Sequence, residues 1–176
     1  GNARTTVFYK QTGLRNTGTQ TVSVTSGNVV IGQIVALHHD DNVTWVLDSD
    51  GGTDTSAGTA WSVAGSGIDL DSASGGDLVL IGSSINTDAY SYNTPTLSVS
   101  GGVGVGEVTL TGQYVTTNGN DMALTVATAR ITSGSGTGVV PTYGMTSSGT
   151  AGSAPAGSSM FIKVNTTPIT TDDNHL

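Results

Sequence analysis

The chain has 176 residues, no cysteine, 26 glycines, a hydrophobic fraction of 35% and a net charge of −8. The lack of cysteine excludes disulfides, zinc–thiolate centres, iron–sulfur clusters and thiol catalysis together. With five Lys and Arg against 13 Asp and Glu, no phosphate-binding footprint can be assembled and nucleic acid is not an expected partner; no apolar run of about 18 residues is present, so no membrane span is expected.

In chain order the charges segregate. Arg4, Lys10 and Arg15 precede the first carboxylate, Asp40, giving +3 for residues 1–38, −9 for 39–88 and −2 for 89–176. The Gly1 start reads as a processed one, by a signal peptidase or by loss of Met before a small residue, and leaves export and cytosolic synthesis both open. The basic leader carries Thr5-Thr6-Val7-Phe8-Tyr9-Lys10, rich in β-formers. Gly13, Asn16 and Gly18 separate it from the next apolar run. Residues 1–18 are therefore read as an assembly arm, and residues 19–176 as a single β body.

Period-two alternation recurs through that body and no 3.6-residue pattern competes with it. The spacing predicts strands over Thr5 to Lys10, Gln20 to Thr25, Asn28 to Leu37, Val43 to Leu47, Thr59 to Ala64, Gly67 to Asp71 and Asp77 to Gly82. Further strands are predicted over Thr96 to Ser100, Gly106 to Thr111, Gln113 to Thr117, Met122 to Ile131, Val139 to Tyr143 and Ser159 to Asn165. Met122 to Ile131 contains three alanines, but its Thr and Val content favours a strand. Asn118-Gly119 is a hairpin turn signal. Ser133 to Gly138 and Thr146 to Ser159 read as long loops. About a dozen strands predict an all-β fold, an antiparallel β-sandwich or jelly roll with an extended N-terminal β arm.

Groups that could carry chemistry are few. His38-His39-Asp40-Asp41 alternates across a strand, so no more than two of its side chains would aim at one ion, and a polar turn is the simpler reading. Asp48-Ser49-Asp50-Gly51-Gly52-Thr53-Asp54 places carboxylates and glycines on what reads as a flexible loop. With Asp69 and Asp71 on one face of the following alternation, this is a candidate structural calcium site, set against exposed Asx turns; no cofactor is required. Glu107 is the lone Glu, and no nucleophile elbow or phosphate loop is present, so no enzymatic activity is expected. Asn42-Val43-Thr44 and Asn165-Thr166-Thr167 are N-glycosylation sequons. Trp45 and Trp61 fit either core packing or a sugar-stacking platform.

The basic β-prone leader, the Thr- and Gly-rich cysteine-free body and the Gly1 start together resemble secreted filament subunits of prokaryotes assembled by donor-strand exchange. The resemblance implies an extracellular, non-enzymatic homopolymer in which Arg4, Val7, Phe8, Tyr9, Lys10 and Arg15 form a strand inserted into a neighbouring copy. Separately, Val29-Val30-Ile31-Gly32-Gln33-Ile34-Val35-Ala36-Leu37 followed by Trp45-Val46-Leu47-Asp48-Ser49-Asp50-Gly51-Gly52 resembles tailed-phage head-decoration proteins. That resemblance implies a capsid-cementing role on the virion surface. A carbohydrate-binding or adhesive module is a third expectation, resting on the tryptophans.

Overall fold

The computed structural model describes residues 5–8, 21, 23, 31–37, 43–54, 60–71, 77–85, 92–116, 122–147 and 157–168. All regular elements among them are strands: β1 (Val43–Asp54), β2 (Ala60–Ala64), β3 (Ile68–Asp71), β4 (Leu78–Ile85), β5 (Tyr92–Val99) and β6 (Gly104–Val105). The remainder are β7 (Thr109–Thr116), β8 (Met122–Ser133), β9 (Ser135–Val139), β10 (Pro141–Ser147) and β11 (Gly157–Pro168). No helix of the described residues is long and apolar enough to cross a membrane.

One layer is a six-stranded antiparallel sheet ordered β1-β11-β4-β8-β6, with β7 also paired to β8. Segments β6 and β7 take successive lengths of β8: Val105 lies opposite Ile131, and Thr109 to Thr116 lie opposite Thr128 to Met122. The hairpin expected at Asn118-Gly119 is consistent with this β7–β8 pairing, although its turn lies outside the described residues. The second layer combines the sheet β2-β10-β5 with the pair β3-β9. Chain continuity makes β2 with β3, and β9 with β10, two long interrupted strands. Between Ala64 and Ile68 lie three residues, but only two lie between their partners Thr142 and Val139, and the Gly65 N–H donates to the Pro141 carbonyl at 2.9 Å across the irregularity. Such an inserted residue bends a strand and sharpens its twist.

Between the layers sits one apolar cluster. Val79, Ile81 and Ile85 of β4, Ala123, Ala127, Ala129 and Ile131 of β8, and Phe161 of β11 meet Trp61, Val63, Ile68, Leu70, Val139, Tyr143 and Met145 from the other layer. The alanines of β8, which made a helix a rival reading, are small residues on a strand's inward face. Tyr143 is fully buried and its hydroxyl donates to the Met145 sulfur at 2.9 Å. Burial pushes its phenol up to about 12, against a smaller opposing contribution from the Thr125 hydroxyl.

Four sequence expectations change. The acidic stretch Asp48–Asp54 is no loop: it continues β1 and pairs residue by residue with Lys163 to Gly157 of β11. Ser133 to Gly138 contains β9. At the end of the second expected loop, Gly157–Ser159 belong to β11. Finally, the described parts of the expected strands Thr5 to Lys10 and Asn28 to Leu37, residues 5–8 and 31–37, are not in strands. Strand propensity is local, whereas a ladder needs a free edge at the right place.

At Gly52 a Cβ would overlap the Ala64 carbonyl, so β1 and β2 approach where only glycine fits. Gly52→Ala should therefore lower unfolding stability by about 1–3 kcal/mol, whereas Gly32→Ala, which has open space around it, should leave the urea midpoint unchanged. Equal midpoints for the two variants would remove the close approach.

Candidate assembly surface and the carboxylate corner

Residues in strands alternate between faces. Ser83 and Ser159 lie on the inward face beside Ile81 and Phe161, bonded hydroxyl to hydroxyl at 2.8 Å. Their neighbours Ser84 and Ser158, opposite one another in the ladder, consequently point outward. There Thr5 docks. Its hydroxyl donates to the Ser158 carbonyl at 2.6 Å; that uses its one proton, so the 2.7 Å contact with Ser84 is Ser84 donating to Thr5. The Thr5 N–H also donates to the Ser158 hydroxyl at 3.3 Å. Farther along the same outer face, Gln33 covers Gly112 of β7, its carbonyl oxygen buried without a partner. The described residues 5–8 and 31–37 thus touch the sheet through side chains and are not in strands.

This placement leaves apolar side chains in solvent. Phe8 is 74% exposed and Ile34 80%, with Val35 and Leu37 also exposed and Val7 half-buried. Of the other expected arm residues, Arg4, Tyr9, Lys10 and Arg15 lie outside the described residues. Outward Val126, Ile162 and Val164 are by contrast buried, so this face of the sheet is not simply a wet one.

Of the candidate calcium carboxylates, Asp48, Asp50 and Asp69 accept hydrogen bonds at the corner where β1 meets β2 and β3. Asp50 accepts from the Gly67 N–H at 2.7 Å, from the Ser66 hydroxyl at 2.6 Å and from the Ser66 N–H. Asp48 accepts from the Asp69 N–H at 2.7 Å and the Ser49 N–H at 2.8 Å, and Asp69 in turn accepts from the Gly138 N–H at 2.8 Å. Side-chain oxygens thus replace the ladder where the two layers join. Partial burial pushes the Asp50 carboxyl up, but hydrogen bonds from the Ser66 hydroxyl and from the Gly67, Gly51 and Ser66 N–H groups outweigh it, leaving its pKa below the ordinary value. A cation would compete with these donors for the same oxygens. Asp54 and Asp71 stand at the ends of β1 and β3, and among the described residues no three His, Asp or Glu side chains converge as a metal site.

Of the remaining sequence candidates, Trp61 is a core residue, 6% exposed, and offers no sugar platform; Trp45 lies in β1. Asn165 sits half-buried within paired β11, while Asn42 and His38 to Asp41 lie outside the described residues. Glu107 is exposed between β6 and β7. Gly101 and Gly102, each with φ +75°, turn the chain from β5 into β6. Comparison with protein-family models, curated proteins and solved structures finds no match for this chain.

Above its ordinary range Asp50 is charged in both folded and unfolded chains, so its full contribution is present there and is lost as pH falls through its depressed folded pKa. Asp50→Ala should cost about 1–3 kcal/mol at neutral pH. The gap between variant and parent should narrow below about pH 4, as read from denaturation midpoints across pH. A gap that stays constant down to about pH 2, below the carboxylate range, would show that the charge is not what binds the turn.

Proposed function

We propose that this chain is a non-enzymatic structural subunit that self-assembles head-to-tail, its N-terminal segment pairing with the body of a neighbouring copy outside the cell. The observation that carries the reading is the leader itself. Its described residues 5–8 are rich in β-formers yet are not in a strand, with Phe8 largely in solvent, beside a body whose own corner is already closed.

Of the two rims of the six-stranded sheet, β1 is covered at its corner by β2 and β3 through Asp48 and Asp50. The rim formed by β7 pairs only with β8 among the described residues, runs for eight residues and carries Tyr114, 42% exposed. It is the natural receiver. An unpaired rim offers N–H and C=O groups that an incoming strand satisfies. Roughly six to eight ladder bonds at about 1 kcal/mol net each, with burial of two or three large apolar side chains at about 1.5–3 kcal/mol each, suffice to hold a joint. The three leading cations contribute less energy and mainly orient the approach to an anionic body, because exposed pairs add only about 0–1 kcal/mol and are screened by salt. A contact of this heterologous kind, if it does not close, propagates a filament.

The variant Phe8→Ser should sediment as a monomer with the parent's thermal midpoint, while the parent forms polymers visible by negative stain. Polymers of unchanged length from the variant, or a parent that stays monomeric and binds preformed capsid shells, would contradict the reading.

A further inference from the structure

The β7 rim, which pairs only with β8 among the described residues, has a gap on its outer face. Gly112 lies opposite Val126 and Tyr114 opposite Leu124, so all four belong to that face. A register shift between Leu110 and Gly112 leaves Thr111 outside the ladder, its hydroxyl donating to the Val126 carbonyl at 3.0 Å. Beside Tyr114 the strand therefore presents backbone with no side chain of its own. The Gln33 carboxamide lies there, in the space that a Cβ of residue 112 would take. It is a poor occupant. Its oxygen is buried and accepts no hydrogen bond, and a buried acceptor without a donor is costly.

We propose that this gap is the seat for Phe8 of a second copy, which displaces the Gln33 side chain when the leader adds to β7. The inference rests on the assembly proposal and fixes its register, with Phe8 opposite Gly112. When a strand pairs with β7, the residue directly opposite Gly112 sends its side chain to the same outer face. A glycine in a strand has no side chain to pack, and an aromatic ring from the strand opposite covers the bare backbone. The ring also reaches the diagonal neighbour Tyr114, 42% exposed, and aromatic pairs attract beyond their buried area. In its own chain Phe8 has no such cover, being 74% exposed, while Thr5 three residues before it is fixed to Ser84 and Ser158. A phenyl ring requires no donor in that seat, and the displaced Gln33 oxygen regains water as its partner. The rim of the second layer is a worse receiver, because β5 contains Pro95, which has no N–H to offer.

The full-length Phe8→Ser variant, labelled with nitrogen-15, supplies a monomeric receiver whose own leader cannot compete for the seat. An unlabelled peptide of residues 1–18 should shift the Gly112 and Tyr114 amide resonances saturably. The same peptide carrying Phe8→Ser should bind about tenfold more weakly, the loss expected of an aromatic anchor. Adding Gln33→Ala to the receiver, which takes no hydrogen bond from that oxygen, should tighten peptide binding about fivefold. Adding Gly112→Val, whose fold is read from its own amide spectrum, should weaken it about tenfold by filling the gap. Peptide binding that shifts other strands and leaves Gly112 and Tyr114 still overturns the register while sparing the assembly proposal. So does equal binding by the Phe8→Ser peptide, or binding indifferent to Gln33→Ala. A peptide that shifts no resonance overturns the seat as well, and with a parent that stays monomeric it overturns the assembly proposal too.

Discussion

Two carboxylates at one corner govern how the rest of the chain is arranged. Asp48 and Asp50, two apart on β1 and so on one face, accept the N–H groups of Ser66, Gly67 and Asp69 where β2 bends into β3. A sandwich corner exposes backbone donors that neither sheet can satisfy, and a buried or half-buried donor left unpaired is costly. Charged acceptors there provide stronger bonds than neutral ones. They bring β1 over the edge of β2, where Gly52 admits the Ala64 carbonyl, and the core closes between the layers.

Closure at that corner bears on the leader. With the β1 rim covered, residues 5–8 and 31–37 lie across the outer face of the large sheet, tied by Thr5 to Ser84 and Ser158 and by Gln33 over Gly112. Among the described residues these ties are polar, and Phe8 and Ile34 are largely exposed. A segment held this lightly can leave the face of its own sheet for a ladder in another chain, because the hydrogen bonds it breaks are fewer than those a ladder forms.

Much of the body was legible from residue order, because its strands alternate and its turns are marked. Val43 to Leu47, Ala60 to Ala64 and Met122 to Ile131 all lie within strands, with Thr and Val outweighing alanine in the last. Asp48 to Asp54 misled for a physical reason: Asp and Gly are turn formers locally, but the unbroken pairing of β1 with β11 holds them extended, and the carboxylates of Asp48 and Asp50 find backbone donors distant in sequence. Residues 5–8 and 31–37 misled in the opposite sense, their propensity being real although they are not in strands. Lys163 carried no signal at all. A lone lysine in an apolar alternating run reads as solvent-facing, and only the covering of both faces of β11, where Phe161, Ile162 and Val164 are all buried with it, places it inside.

Residue-resolved amide hydrogen exchange, recorded on the monomer and on the assembled material, addresses the account most directly, because exchange reports which N–H groups are held. The amides of Ser66, Gly67 and Asp69 should be protected in both states, and those of residues 6–8 should exchange freely in the monomer and slowly in the assembly. Protection of residues 6–8 already in the monomer, or free exchange of those residues within the polymer, would contradict it.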